Sequence, residues 1–198
     1  TIVDNDNGAP TVTDRSLTLV EDTTLSATLT GSDPEGDPLT FRVITQPAHG
    51  TISLVGSTGA YTFTPAANYN GADSFTFKAN DGTVDGNTAT VSITVTAVND
   101  APVANSGPLT ATEDTPKSSN LTATDVDGDT LTFSVVTGPA HGTITGFNAS
   151  TGAFTYVPAA NYNGPDSFTF RASDGSLNSN TAAVSITVTG PEGEAVRP

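Results

Sequence analysis

Residues 65–79 read PAANYNGADSFTFKA and residues 158–172 read PAANYNGPDSFTFRA, so 13 of 15 positions are identical at an offset of 93. Both copies contain an alternation of aromatic and polar residues, which is Phe75-Thr76-Phe77 in the first copy. Strict alternation is typical of a half-buried β-strand, because successive side chains point to opposite faces. An Asn-Gly turn signal precedes the alternation. The stretch therefore predicts a turn followed by a strand, in a fold that occurs twice.

The repetition extends along most of the chain, and internal repeats decide the architecture. Glu21-Asp22-Thr23 returns as Glu113-Asp114-Thr115 at an offset of 92, and one residue is inserted between Thr143 and Gly152. The predicted segments are the end of a preceding domain or a linker at 1–9, repeat 1 at 10–98, a joint at 99–101, repeat 2 at 102–190 and a C-terminal tail at 191–198.

Within each repeat the hydrophobic period is two, and segments rich in Gly, Pro, Asn and Asp separate the alternating stretches. About seven strands of this kind in about 90 residues are typical of an immunoglobulin-like sandwich. We therefore predict an all-β fold made of two tandem seven-stranded antiparallel Greek-key β-sandwiches. In repeat 1 the strands are expected at 10–20, 24–30, 38–45, 50–55, 60–64, 73–79 and 88–98.

The inward-facing positions of these strands predict the core of each repeat. For repeat 1 they are Phe41, Val43, Ile52, Tyr61, Phe63, Phe75, Phe77, Val91, Ile93 and Val95. For repeat 2 they are Phe133, Val135, Ile144, Phe154, Tyr156, Phe168, Phe170, Val184, Ile186 and Val188.

Composition excludes several function classes. The 198 residues include 6 basic and 21 acidic side chains, a formal net charge of −15, and no Cys. Disulfides and thiolate metal sites are therefore impossible, and the basic footprint of a nucleic-acid-binding protein is missing. No apolar run approaches the ~20 residues that span a bilayer. An acidic, Cys-free chain of this kind suits calcium-rich extracellular fluid, which favours a secreted or cell-surface location.

The acidic residues concentrate in particular turns. If successive connections alternate between the two ends of a sandwich, Glu21 and Asp22 lie at the base of repeat 1, where the chain leaves through Asn99 and Asp100. The same reasoning places the acids of two loops of repeat 2 at the end that faces this joint. Those acids are Asp125, Asp127, Asp129 and Asp174, and by symmetry the far end of repeat 1 carries Asp33, Glu35, Asp37 and Asp81.

Clustered carboxylates favour a bound cation. Two of them ~4 Å apart repel by about 4 kcal/mol at an effective dielectric constant near 20. Calcium takes six to eight oxygen ligands at ~2.3–2.6 Å. It fits better than magnesium here, because the candidate side chains are numerous, charged and carried by loops. Zinc is disfavoured, because His49 and His141 are expected at the opposite end of each repeat from its Asp-rich loop. The alternative is that Asp, Asn and Gly are here only as ordinary turn residues.

Three segments carry a resemblance to a known family: Asp125-Val126-Asp127-Gly128-Asp129, Ala172-Ser173-Asp174-Gly175 and Val98-Asn99-Asp100-Ala101-Pro102. They resemble the calcium motifs of cadherin repeats, most closely those of the bacterial cadherin-like, tandem immunoglobulin-like domains of large secreted adhesins. The resemblance implies Ca²⁺ as the bound ion. The ligands that it implies are Glu21, Asn99, Asp100, Asp125, Asp127 and Asp174.

One loop departs from the cadherin pattern. Where cadherins offer an Asp and a Glu before a conserved aromatic residue, this chain has Asn68-Tyr69-Asn70-Gly71, with neutral amides. One or two ions are therefore expected at the joint rather than three. The base of repeat 2 is expected to be weak or empty, because the chain leaves it through Gly190-Pro191-Glu192 instead of Asn-Asp.

Two functions fit these features. The first is a non-catalytic extender segment of a large extracellular adhesin or matrix protein, stiffened by calcium and adjoining neighbouring repeats of the same chain, with cell-surface or polysaccharide ligands for the parent protein. The second is a carbohydrate-binding or targeting module of a secreted enzyme, in which Tyr69 and Tyr162 would stack on sugar rings. Catalysis is disfavoured, because His49 and His141 recur at a repeated position without a nearby Ser or Cys nucleophile.

Overall fold

The computed structural model describes residues 7–190, and the chain divides into two compact units, Thr1–Val98 and Asn99–Pro198. Of the expected leading segment 1–9 only residues 7–9 are described, and the expected tail 191–198 lies outside the described residues. All regular structure within the described part of the chain is β. We call the two bodies the first and the second unit.

The first unit contains two main sheets. The larger has the strand order β2-β9-β8-β5, in which β2 runs parallel to β9, and the smaller has the order β3-β7-β6. A two-stranded sheet pairs β1 with β4. The strands are β1 Thr11–Val12, β2 Arg15–Val20, β3 Leu25–Thr28, β4 Gly31–Ser32, β5 Thr40–Thr45, β6 Gly50–Val55, β7 Ala60–Pro65, β8 Gly71–Asn80 and β9 Ala89–Thr96.

The second unit repeats this arrangement, with sheets β11-β18-β17-β14 and β12-β16-β15 and a small pair, β10 with β13. Its strands are β10 Val103–Asn105, β11 Gly107–Thr112, β12 Lys117–Asn120, β13 Thr122–Thr124, β14 Thr132–Thr137, β15 Gly142–Thr145, β16 Ala153–Pro158, β17 Gly164–Ser173 and β18 Ala182–Thr189. The sandwich class predicted from the alternation is confirmed.

The first strand predicted for the first unit is divided in two. In the first unit the residues expected as one strand at 10–20 form β1 and β2, which pair in different sheets. Asp14 lies between them, and its Oδ1 accepts the N–H of Thr90 at 2.7 Å. This side-chain bond replaces a ladder bond and lets the chain cross from one sheet to the other.

Aromatic and β-branched residues on the facing sheets form the core of each unit. Tyr61 meets Phe75 edge-on at a ring-centroid distance of 5.3 Å, and Phe154 meets Phe168 in the same way at 5.1 Å. Most predicted core positions are buried. The predicted residues that are only partly buried are Phe41, Val43, Ile52, Phe133, Val135 and Ile144, and buried residues outside the prediction include Val12, Leu19, Leu29, Leu109 and Leu121.

Candidate metal centre

The loop between β13 and β14 gathers three carboxylates. Asp125 Oδ1 accepts the N–H groups of Asp127 at 3.0 Å and of Asp129 at 3.3 Å, so the loop closes around this side chain. Gly128 permits the tight turn with a φ of 79°, a conformation that side-chain-bearing residues rarely adopt. One carboxylate oxygen from each of the three aspartates lies within 4.8 Å of the other two.

The loop between β17 and β18 presents Asp174 at the same end of the second unit. Its Oδ1 accepts the N–H groups of Ser176 and Leu177, each at 2.6 Å, and its Oδ2 accepts the side-chain amide of Asn99 at 2.8 Å. The N–H of Leu177, the amide of Asn99 and the N–H of Ser176 lower the pKa of Asp174 below its ordinary value. Asp174 therefore stays ionised at neutral pH.

The first residues of the second unit are bound to these loops. Asn99 is bonded to Asp174, and the N–H of Asp100 donates to Asp127 Oδ2 at 2.7 Å. The structure thus brings to one end of the second unit Asn99, Asp100, Asp125, Asp127, Asp129 and Asp174.

Asp125 gives the clearest indication that this end accommodates a cation. Its Oδ2 is buried and has no hydrogen-bond partner in the described part of the chain. Burying a charged oxygen without a partner is unfavourable, and two neighbouring carboxylates raise that cost by repulsion. The donor set consists of carboxylate and amide oxygens, which are the ligands that calcium prefers. The residues therefore fit a calcium ion.

Sequence reasoning placed Asp129 in this loop but left it out of the ligand set carried over from cadherins. The structure places its carboxylate in the group of three, and Asp125 accepts the N–H of its backbone. The signal was present in the sequence as the third acid of an alternating Asp-x-Asp-x-Asp stretch.

The matching end of the first unit has the same hydrogen-bond framework. Asp33 Oδ1 accepts the N–H groups of Glu35 at 3.0 Å and of Asp37 at 3.1 Å, and Asp33 Oδ2 is buried without a hydrogen-bond partner among residues 7–190. Asp81 Oδ2 accepts the side-chain amide of Asn7 at 2.8 Å. Hydrogen bonds from the N–H groups of Val84 and Thr83 lower the pKa of Asp81 to about 2.

Glycine replaces an aspartate at one position of this end. Gly8 aligns with Asp100, and its N–H donates to Glu35 Oε2 at 3.1 Å. A Cβ on Gly8 would lie 2.9 Å from Pro34 Cγ, so the site has no room for a side chain. Across residues 7–190, Asp33, Glu35 and Asp37 do not form a compact group like that of the second unit.

Glu21 and Asp22 serve structural roles at the opposite end of the first unit. Glu21 is only 3% exposed, and its Oε1 accepts the N–H of Val98 at 2.7 Å. Asp22 has a φ of 56°, and its Oδ1 accepts the N–H of Asn68 at 3.0 Å. The turn after β2 is thereby bonded both to the end of the unit and to the loop before β8. Their roles as metal ligands stay predictions.

Asp73, near the start of β8, is a buried acid. Its Oδ1 accepts the N–H groups of Ala48 and Ser74, and its Oδ2 accepts that of His49. Asp166 occupies the same place in the second unit. Burial alone would raise the pKa of Asp166, but hydrogen bonds from Tyr156 and backbone N–H groups lower it. Both aspartates fix a loop.

Tyr69 and Tyr162, the residues expected to stack on sugar rings in the carbohydrate-binding alternative, are half-buried. Each stacks on a histidine at a ring-centroid distance of 4.2 Å, Tyr69 on His49 and Tyr162 on His141. Their hydroxyls donate to backbone carbonyls of the strands that follow, Tyr69 to Ala72 and Tyr162 to Pro165. One ring face of each tyrosine is therefore covered by an imidazole.

Comparison with known families agrees with this architecture. Residues 99–190 match the family model of the bacterial cadherin-like domain, and residues 5–94 match that of the bacterial Ig domain. The second unit thus resembles bacterial cadherin-like domains, and the first unit resembles bacterial Ig domains. This confirms the resemblance seen in the Asp-rich motifs. Domains of these kinds are typical of extracellular proteins and are typically non-catalytic.

Curated proteins and solved structures also show similarity to this chain. Integrin beta-like protein A of Dictyostelium discoideum is 37% identical over 147 residues, which cover 65% of this chain and 8% of that protein. The chain thus spans less than a tenth of the curated relatives it matches.

Among solved structures, human protocadherin-24 EC1-2 covers 92% of this chain and is itself covered completely, with 19% identity and a TM-score of 0.61. An endo-fucoidan hydrolase of glycoside hydrolase family 107 covers 93% of this chain at 26% identity, over 29% of its own length, with a TM-score of 0.43.

No helix in residues 7–190 is both long enough and apolar enough to cross a membrane.

Proposed function

We propose that this chain is a non-catalytic, calcium-stiffened extender segment of a larger extracellular adhesin or surface protein. The observation that carries the proposal is the end of the second unit. There three carboxylates lie within 4.8 Å of one another, and one oxygen of Asp125 is buried without a partner. The comparisons support the adhesion-type class, and the ion and its mechanical role are our inference.

The energetics favour calcium at this end. Carboxylates ~4 Å apart repel by about 4 kcal/mol per pair at an effective dielectric constant near 20, and a divalent cation reverses the sign of this term. Magnesium demands a smaller, nearly octahedral site and retains its waters. A set of flexible loop carboxylates with an additional amide suits the larger and more tolerant calcium ion.

The stiffening acts on the chain segment that connects the two units. Asn99 and Asp100 are already hydrogen-bonded to Asp174 and Asp127, and an ion shared among these side chains would fix them further. The preceding residue, Val98, is bonded to Glu21 of the first unit. An ion would therefore immobilise Asn99 and Asp100, while the Glu21–Val98 hydrogen bond already holds the residue before them. Without the ion, repulsion among the carboxylates opposes this order.

The partners that follow are neighbouring repeats of the same protein. The chain covers only 8% of its integrin beta-like relative, and such relatives are long proteins in which this segment is a small part. We infer that the parent protein is secreted or displayed on the cell surface and that this segment sets the distance of a binding region located elsewhere.

Small-angle X-ray scattering of the full chain tests the mechanical claim. With calcium at tenfold excess over a Kd of ~10⁻⁴–10⁻³ M, an ion stabilises its site by roughly 1.4 kcal/mol. We expect a narrower distribution of interatomic distances and a defined maximum dimension in calcium, and a broader distribution in EGTA. The control is Asp125→Asn, which should resemble the EGTA sample under both conditions. Identical profiles of the parent chain with and without calcium would contradict the proposal.

A further inference from the structure

Three Asn-Gly pairs occur in this chain, at Asn7-Gly8, Asn70-Gly71 and Asn163-Gly164. The last two occupy the same loop in the two units, directly before β8 and β17. We propose that Asn70 and Asn163 are sites of spontaneous deamidation in the folded protein, and that the fold protects Asn7. The sequence is the same at all three pairs, so the difference must arise from the structure.

The chemistry needs only the asparagine, the following glycine and water. The backbone nitrogen of the glycine attacks Cγ of the asparagine side chain and loses its proton. The new N–Cγ bond closes a five-membered imide while the Cγ–Nδ2 bond breaks and ammonia leaves. Water then opens either imide carbonyl and gives aspartate or isoaspartate. Glycine has no Cβ to obstruct the attack, which is why this residue favours the reaction.

The two loops leave the reacting amide accessible. Asn70 and Asn163 are exposed, and within residues 7–190 neither side chain makes a hydrogen bond. Each following glycine is the first residue of its strand, where pairing opens at low free energy. Gly71 and Gly164 have φ values of 139° and 140°.

The glycine itself cannot easily be replaced. A Cβ on Gly71 would lie 2.9 Å from the Tyr69 hydroxyl, and one on Gly164 would lie 3.1 Å from the Tyr162 hydroxyl. The positive φ adds strain for any other residue. The fold thus requires the residue that makes the preceding asparagine reactive.

Asn7 differs because both of its reacting groups are held. Its side-chain nitrogen donates to Asp81 Oδ2 at 2.8 Å and to Thr83 Oγ1 at 3.1 Å. The attacking nitrogen, that of Gly8, donates to Glu35 Oε2 at 3.1 Å. Rotation of the amide towards the glycine nitrogen would break these bonds.

Each conversion adds one negative charge beside the turn that carries an acidic pair. The N–H of Asn68 donates to Asp22, and the N–H of Asn161 donates to Asp114 at 2.9 Å, so these loops are bonded to those turns. A new carboxylate there increases the electrostatic repulsion within the acidic turn.

Peptide mass spectrometry of the full chain tests the assignment. The protein is incubated at mildly alkaline pH in ¹⁸O-labelled water, and each Asn-Gly peptide is followed over time. We expect Asn70 and Asn163 to convert at least about tenfold faster than Asn7, the factor that corresponds to about 1.4 kcal/mol of local hydrogen bonding. In denaturant the three rates should converge. Equal rates in the folded chain would overturn the proposal.

The variant Asp81→Ala isolates the protecting contact. It removes one acceptor of the Asn7 amide and should accelerate conversion at Asn7 while the rates at Asn70 and Asn163 stay unchanged. An unchanged rate at Asn7 would contradict the hydrogen-bond explanation. The variant Asn70→Gln should abolish label incorporation at that position alone, which verifies the peptide assignment.

Discussion

The acid-rich ends of the two units share one framework but differ in how many carboxylates they bring together. In each, the first aspartate of a loop accepts two N–H groups and keeps one buried oxygen without a partner among the described residues. Only the second unit gathers three carboxylates of that loop within 4.8 Å in the described part of the chain. The same loop geometry therefore does not by itself produce the same site.

A second difference between the two ends lies in the residue that enters each of them. Pro34 occupies the space in which a side chain at Gly8 would lie, 2.9 Å from the would-be Cβ. In the second unit the residue that aligns with Pro34 is Val126, which is 54% exposed, and the residue that aligns with Gly8 is Asp100. The first unit thus has one carboxylate fewer at this position, which predicts weaker cation binding there.

The first prediction concerns the two loop aspartates. Asp125→Asn keeps an oxygen that accepts the loop N–H groups but removes the charge, so calcium affinity should fall by at least about a hundredfold. The matched variant Asp33→Asn should leave the tighter calcium-binding event unchanged. Isothermal titration calorimetry of both full-length variants measures this difference. Equal losses for the two variants would show that the two ends are equivalent.

The second prediction compares Glu21 with Glu113, which lie at the opposite end of each unit from the Asp-rich loop. Glu21→Ala leaves the N–H of Val98 without its acceptor, which should lower the free energy of unfolding by about 1–3 kcal/mol. Glu113→Ala should cost less, because the residue that aligns with Val98 is Pro191, which has no N–H to donate. Chemical denaturation of the full chain measures both. A larger loss for Glu113→Ala would contradict the role assigned to the Glu21–Val98 bond.

A third difference lies in the cores. Tyr156 donates its buried hydroxyl to Asp166 Oδ2 at 2.8 Å, whereas the first unit has Phe63 at this position. Tyr156→Phe should lower the free energy of unfolding by about 1.5 kcal/mol. Phe63→Tyr is the reciprocal variant in the first unit. It should raise the free energy of unfolding by part of that amount if the new hydroxyl reaches Asp73. Denaturant midpoints of the two variants test this, and an unchanged midpoint for Tyr156→Phe would contradict it.

The smallest expected effect is on pH dependence. The pKa of Asp81 is about 2 in the folded state against an ordinary 3.8, so folding favours its ionised form. Its stabilising contribution is complete above about pH 4 and is lost as the pH falls from there towards 2. The difference in unfolding free energy between the parent chain and Asp81→Asn should therefore shrink over this range. If the difference in unfolding free energy stays constant down to pH 2, the ionised Asp81 carboxylate does not stabilise the fold.

The alternating pattern was sufficient to predict the sandwich, but it could not predict how strands divide between sheets. The separation of β1 from β2 depends on a hydrogen bond between Asp14 and Thr90, which are far apart in sequence. In the candidate site, the acids of the Asp-rich loops were recognisable from their spacing. The burial of Asp73 and the exclusion of a side chain at Gly8 were not, because both depend on contacts with distant loops.

The central claim is that calcium binds the acid-rich end of the second unit, and amide-resolved NMR of the full chain tests it most directly. On titration with calcium, and not with the same concentration of magnesium, the largest saturable shifts should occur at the amides of Asp100, Asp127, Asp129, Ser176 and Leu177. All of these N–H groups donate to carboxylates of the candidate centre. Shifts that are absent, or that spread evenly over the acidic surface without saturating, would contradict the account.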